Sequence, residues 1–224
     1  MRKPDRKIGE KARILIVDDH PLVRESLKNL ILKESDLEVC GEAENRVQAL
    51  SMLTSSQPHI IILDLSLPDS HGTELIKDLQ DQQPRVSILV LSGHDELVYA
   101  ERAIRAGAQG FLTKKEPPAK ILQAIRQVLC GEIYWTEKAA ASVASKFTRR
   151  NRLPGKRTTD SLTDREMQVL ERIGMGQGTQ HIAATLHIDA STVETYRSRI
   201  KEKLNLHNGN ELLQYAIRWR WNGS

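Results

Sequence analysis

"IIILDLSLPD", residues 60 to 69, runs four apolar side chains straight into Asp64. A strand with no polar alternation is buried on both faces, and such strands belong to parallel sheets with helices above and below. Short Ile-, Val- and Leu-rich runs of the same kind recur through the first 131 residues, separated by amphipathic stretches of helical length, which is the pattern of βα units. Strands are predicted at 13–17, 38–42, 60–63, 87–91 and 110–113. The first intervening helix opens at Pro21, a residue suited to a first helical turn, and sets Val23, Leu27, Leu30 and Ile31 on one face. Five such strands make a doubly wound α/β domain, in which ligands bind beyond the carboxyl ends of the strands.

The carboxyl ends of the strands therefore carry the candidate site. The first strand delivers Asp18 and Asp19, the third Asp64 and the fourth Ser92, while Lys114 comes directly after the fifth. In a parallel sheet all five lie at one edge. Three carboxylates held close together repel, which raises the pKa of at least one unless a cation sits among them. A hard divalent ion with oxygen ligands, Mg²⁺ in a cell, resolves that conflict. The same ion would shield Asp64 from an incoming phosphoryl group, with Lys114 holding one phosphoryl oxygen and Ser92 donating a hydrogen bond to another. This is carboxylate nucleophilic chemistry. Singly, each residue has a plainer role: Asp19 caps a helix, Lys114 is a solvated charge, Ser92 belongs to a turn. Their appearance in order after separate strands is what sets them apart.

Beyond residue 135 the pattern changes. The stretch 136–147, "TEKAAASVASKF", is Ala-rich and helical, and 148–161, "TRRNRLPGKRTTDS", reads as a flexible linker. From Leu162 onward only helical signals remain: "LTDREMQVLERI", with Thr163 as cap and Glu166 three residues later, then "TQHIAATL", "ASTVETYRSRIKEKL" and "NELLQYAIRW". The organisation expected is a basic tail at 1–11, an α/β domain at 12–131, a helix and linker at 132–160 and a small all-α domain at 161–224.

Charge divides the same way. Residues 14–131 carry 12 basic and 17 acidic side chains, residues 132–224 carry 15 and 10, and the first 13 carry six and two. Of the acidic N-terminal half and the basic C-terminal part, only the latter is suited to a polyanion. The composition, 39% hydrophobic and 28% charged, is that of an ordinary globular protein. Apolar runs fall far short of the ~20 residues a bilayer needs, and the basic N-terminus has no apolar stretch behind it, so a cytoplasmic protein with no membrane contact is expected. The two cysteines, Cys40 and Cys130, sit in no metal-ligand spacing and are expected in the core.

In "GTQHIAATLHIDASTVETYRSRIKEKL" a short helix, a turn at 187–189 and a longer helix succeed one another at helix-turn-helix spacing. Val193, Ile200 and Leu204 share one side of the second helix. The other side shows Ser191, Thr195, Ser198 and Arg199, flanked by Glu194 and Tyr196, groups able to reach base edges or phosphates.

The segments "ILIVDDH" (14–20), "IIILDLSLPD" (60–69), "LVLSGHD" (89–95) and "AGAQGFLTK" (106–114) together resemble a response-regulator receiver domain of the CheY-like, flavodoxin-like fold. The resemblance implies that Asp64 is the phosphoacceptor and that Asp19, Asp64 and the main-chain carbonyl of Ser66 ligate Mg²⁺, with Asp18 helping through water. It makes Ser92 and Phe111 the switch pair and Lys114 the phosphoryl-binding lysine. Two departures stand out. The loop after Asp64 reads Pro68-Asp69-Ser70-His71-Gly72 where the family has a tighter turn, and Lys115 replaces the proline after Lys114. His94, two residues past Ser92, sits where it can influence water access.

The C-terminal segments "LTDREMQVL", "IAATLHIDASTVETYRSRIKEKL" and "ELLQYA" resemble the LuxR-type helix-turn-helix, and the combination resembles the NarL/FixJ subfamily of two-component response regulators. This implies DNA contacts from Ser191, Thr192, Glu194, Thr195, Tyr196, Arg197, Ser198, Arg199 and Lys201. Here Glu194 stands where most members have a lysine or another neutral or basic residue, Tyr196 where histidine is frequent, and His181 where glutamate is common. The resemblance also implies a sensor histidine kinase as phosphoryl donor, promoter DNA as target and a homodimer after phosphorylation. The chain is then a transcription factor whose catalysis is confined to its own phosphorylation and dephosphorylation. Two other readings remain: a Mg²⁺-dependent phosphohydrolase, disfavoured by Ser66 where a second acid is expected, and a receiver that serves only as an unphosphorylated dimerisation module.

Overall fold

The computed structural model describes residues 9–67, 72–93, 96–136 and 159–222. The chain divides into two compact units, Met1–Ser145 and Lys146–Ser224. The first alternates strands and helices: β1 (Ala12–Val17), α1 (Pro21–Ile31), β2 (Leu37–Ala43), α2 (Arg46–Ser56), β3 (Ile60–Leu63), α3 (Gly72–Gln82), β4 (Ser87–Ser92), α4 (Glu96–Ala106), β5 (Gly110–Thr113) and α5 (Pro118–Leu129). The strands form one parallel sheet in the order β2-β1-β3-β4-β5. The predicted doubly wound sheet is present, with each strand within a residue of its expected bounds.

Successive strand residues point to opposite faces, and each face meets its own helices. Ile14, Ile16, Ile60, Ile62, Leu89, Leu91 and Leu112 pack with Leu27 and Ile31 of α1 and with Ile121, Ala124, Ile125 and Val128 of α5 in one cluster. β3 and β4 are buried along their whole length, as their unbroken apolar sequences demand. β2 departs from that pattern: it is the edge strand, and its central residues are half-buried or exposed, which is why Glu38 and Glu42 are tolerated there.

The cysteine expectation is corrected. Cys40 lies on this edge strand, half-buried, and Cys130 caps the C-terminus of α5, exposed, so neither belongs to the core. A second difference concerns residues after α5. Tyr134 pairs beside β5: its N–H donates to the Gln109 carbonyl at 2.9 Å, and Phe111 N–H donates to the Tyr134 carbonyl at 3.2 Å. The outer edge of β5 thereby finds main-chain partners. The predicted helix at 136–147, most of the linker, the loop at 68–71 and His94 lie outside the described residues.

Gly72, at the start of α3, closes the segment beyond Asp64. A Cβ placed there would lie 2.6 Å from both the Cα and a methyl carbon of Leu65. Gly72→Ala is expected to displace Leu65 and lower the stability of this unit by about 1–3 kcal/mol, measured as an earlier thermal transition; an unchanged midpoint would show that the loop yields freely.

The second unit holds a short 3-10 turn (Thr159–Ser161) and the four helices expected: α6 (Asp164–Gly174), α7 (Thr179–Leu186), α8 (Ala190–Leu204) and α9 (Gly209–Asn222). α6 opens with the predicted capping box, in which Glu166 N–H donates to Thr163 Oγ1 at 3.3 Å and Thr163 N–H donates to Glu166 Oε2 at 2.8 Å. Val193, Ile200 and Leu204 are the buried residues of α8, as its spacing predicts, and they join a core with Leu170, Ile173, Ile182, Leu212 and Ala216. His187 ends α7 in the left-handed region at φ +53°, turning the chain into α8.

Candidate functional site

At the carboxyl edge of the sheet, main-chain hydrogen bonds register the strand ends against one another. Asp64 N–H donates to the Val17 carbonyl at 2.8 Å, Asp18 N–H to the Ala43 carbonyl at 3.0 Å and Lys114 N–H to the Ser92 carbonyl at 2.8 Å. These bonds bring Asp18, Asp64 and Lys114 together from β1, β3 and the end of β5. Lys114 Nζ lies 2.6 Å from Asp18 Oδ2 and 2.8 Å from Asp64 Oδ2, and both carboxylates are buried. The peptide bond between Lys114 and Lys115 is trans, the ordinary state for a bond without proline, and the lysine still reaches both acids.

Asp19 is half-buried, and its Oδ1 lies 2.6 Å from His20 Nδ1, a close contact outside hydrogen-bond geometry. One ligand atom from each of Asp18, Asp19, His20 and Asp64 falls within 4.8 Å of the others. Asp64 Oδ1 is buried with no hydrogen-bond partner among the described residues. Three carboxylates gathered beside a single ammonium, two of them buried, repel one another unless a further cation balances them, so the donor set fits a hard divalent ion.

Electrostatics agree with the geometry. Burial first, then the charge of Asp64, pushes the Asp18 carboxyl above the usual carboxylate range, against the pull of Lys114 and the His20 N–H. Burial would lower the Lys114 ammonium, but the charge of Asp64 and hydrogen bonds to Asp18 and Asp64 outweigh it and raise it. An acid with a raised pKa in the folded state holds its proton more tightly there than when unfolded. Its unit therefore loses stability as pH rises from the unfolded carboxylate value through the folded one. Asp18→Asn is accordingly expected to raise the metal-free melting midpoint at pH 7, by about 2–5 °C, and to weaken its dependence on pH across the carboxylate range. A lowered midpoint would mean that the ion pair with Lys114 outweighs burial and repulsion.

Ser92 ends β4, fully buried and paired with Thr113 of β5, and Phe111 lies fully buried in β5, paired with Val90. Ser66 is half-buried, two residues beyond Asp64. Arg24 was not anticipated as a site residue. It is buried on the inward side of α1, donates from Nη1 to the Asp18 carbonyl at 2.7 Å and pairs with Glu44, so it pins the β1–α1 loop. Its signal was legible as an arginine in register with Leu27 and Ile31, since a charge on an apolar stripe needs a partner.

In the second unit Ser191, Glu194, Thr195, Ser198 and Arg199 are exposed on α8, and Thr192, Tyr196, Arg197 and Lys201 are half-buried. Thr195 Oγ1 donates back to the Ser191 carbonyl at 3.0 Å. Arg197 and Glu194 are drawn into contacts with Thr179 at the start of α7.

Residues 14–126 match the model of the response regulator receiver domain, and residues 160–216 match that of the bacterial regulatory proteins of the LuxR family. The chain is a LuxR-type response regulator. A putative transcriptional regulator of Pseudomonas aeruginosa is 35% identical over 207 residues, spanning 92% of this chain and 98% of that protein. The oxygen regulatory protein NreC of Staphylococcus carnosus is 31% identical over 210 residues, spanning 92% and 97%. Among solved structures, a LuxR-family two-component response regulator from Aurantimonas superposes with a TM-score of 0.58 at 32% identity, covering 62% of this chain and 99% of that one. RcsB from Salmonella enterica serovar Typhimurium bound to promoter rprA shares the fold at a TM-score of 0.59 and 22% identity, over 93% and 99%. This response regulator therefore joins a receiver to a LuxR-type DNA-binding domain, the architecture of a transcription factor rather than of a conventional enzyme. Among its described residues no helix is long and apolar enough to cross a membrane.

Proposed function

We propose that Asp64 accepts a phosphoryl group from the phosphohistidine of a sensor kinase, in the cytoplasm, and that this modification controls DNA binding by the second unit. One observation carries the reading: Lys114 Nζ occupies one oxygen of Asp64 while the other, Oδ1, is buried and open. That oxygen is the nucleophile. It attacks phosphorus, the P–N bond to the donor imidazole breaks, and the imidazole nitrogen keeps the electron pair and takes up a proton. Lys114, released from part of its contact with Asp64, holds one phosphoryl oxygen, and Ser92 donates its hydroxyl proton to another. Phe111 fills the space beneath Ser92 when that hydroxyl moves.

Asp18, Asp19, Asp64 and the Ser66 carbonyl would hold Mg²⁺, which when bound supplies positive charge against both carboxylates and phosphoryl oxygens. Hydrolysis of the acyl phosphate at the same residues returns the receiver to its starting state.

α8 enters the DNA major groove, with Ser191, Thr192, Thr195, Ser198, Arg199 and Lys201 toward bases and phosphates. The modified protein acts as a homodimer. α9 supports that reading, since Leu213, Ile217 and Trp221 recur four residues apart and stay exposed, Trp221 at 81%. The test is promoter footprinting and size-exclusion chromatography with and without acetyl phosphate and Mg²⁺. Tighter, dimeric DNA binding in the treated sample is expected. Unchanged affinity and size would rule out control by phosphorylation.

A further inference from the structure

Glu194 is an acid on the exposed side of a helix otherwise furnished with hydroxyls and bases, and its side chain is 59% exposed. Exposed glutamates ordinarily sample many rotamers, but this one is held. Thr179 Oγ1 donates to Glu194 Oε1 at 2.6 Å and accepts from Arg197 Nη1 at 3.0 Å, and Arg197 Nη1 also lies 3.8 Å from Glu194 Oε1. The hydroxyl has a single proton, and Arg197 can only donate, so the direction of this chain is set: arginine to threonine to carboxylate. Both contacts fall on Oε1. Oε2 has no partner among the described residues.

A carboxylate only accepts hydrogen bonds. DNA phosphates also only accept, and they repel it. The donors that duplex DNA offers in its major groove are the N4 amino group of cytosine and the N6 amino group of adenine. Beside its amino group adenine carries N7, an acceptor facing the same groove, which would repel the second carboxylate oxygen. Cytosine carries no such acceptor on its own edge. A fixed anion with one open oxygen is therefore matched to cytosine and penalised at other bases.

We propose that Glu194 selects a cytosine at one position of each half-site, with Thr179 and Arg197 as the positioning residues that hold its carboxylate. This rests on α8 entering the major groove. Loss of one good base contact costs roughly 10- to 100-fold in discrimination.

The test uses the full chain, treated with acetyl phosphate and Mg²⁺, to enrich binding sites from random-sequence duplexes, with competition binding against each base at the selected position as the second step. Wild type is expected to prefer cytosine at one position per half-site by about 10-fold or more. Glu194→Gln should move that preference to adenine, because an amide reads the N6/N7 pair. Thr179→Val keeps the branched shape, removes the hydroxyl and should shrink the cytosine preference to a few-fold while other positions keep their consensus. A purely structural network would instead weaken all sequences equally in both variants, which overturns the assignment. So does a wild-type consensus that persists unchanged in Glu194→Gln; in either case DNA binding itself stands. A wild type that takes up phosphoryl but enriches no sequence overturns the assignment together with the DNA-binding reading.

Discussion

Asp64→Asn is expected to abolish phosphoryl uptake: after incubation with acetyl phosphate and Mg²⁺, intact-mass measurement should show one added phosphoryl group on wild type and none on the variant. An amide nitrogen is neither nucleophilic nor able to form an acyl phosphate, so the loss is essentially complete. The variant should fold. Asp64 sits beside the raised carboxyl of Asp18, and removing one of two like charges relieves repulsion there, although Lys114 keeps only the Asp18 partner in full. The dimer proposed to form on phosphodonor treatment should be absent from the variant. A mass gain retained in Asp64→Asn would move the acceptor to another residue and sink the assignment.

The second large effect lies in the other unit. Glu166 is buried, and its Oε2 accepts from Thr163 N–H at 2.8 Å and from Lys203 Nζ at 2.6 Å, so one carboxylate caps α6 and ties it to α8. Glu166→Ala deletes the reciprocal half of the capping box and strands a partly buried ammonium. Lys203 is one-third exposed and can turn to solvent, so the lost cap and the lost charged hydrogen bond together cost about 2–4 kcal/mol, a large share of the stability of a domain this small. The DNA-binding unit is expected to unfold near physiological temperature, and sequence-specific DNA binding with it. Calorimetry should lose the transition of that unit, whereas phosphoryl uptake at Asp64 should persist. A variant that melts within a degree or two of wild type would show that Lys203 finds solvent at little cost.

The sheet was legible because its strands announce themselves twice, by apolar content and by the residues that end them. An unbroken Ile60–Leu63 can only be a central strand, and β3 lies at the centre of the five. The capping box at Thr163 and Glu166 was equally plain, since both partners fall within one helical turn. Local patterns failed where partners lie far apart in the chain. Nothing near Tyr134 reveals that it pairs with Gln109 and Phe111 along the open edge of β5. Residue type alone points Cys40 and Cys130 to the core, but the first falls on an edge strand and the second at a helix terminus, and position in the fold outweighs hydrophobicity there.

By itself the sequence determined which residues stand at the carboxyl edge of the sheet. Parallel strands all end on one side, so Asp18, Asp19, Asp64, Ser92 and Lys114 had to share it once the strands were read. Tertiary structure alone decided the state of each: that Lys114 bridges Asp18 and Asp64, that Asp64 Oδ1 is left open, and that Arg24 reaches across to the Asp18 carbonyl. It likewise decided that Glu194 is held by a threonine fifteen residues earlier. Periodicity specifies which face a side chain leaves from, whereas the partner it meets depends on how separate elements pack, and hydrogen-bond energies change over tenths of an ångström that no local pattern encodes.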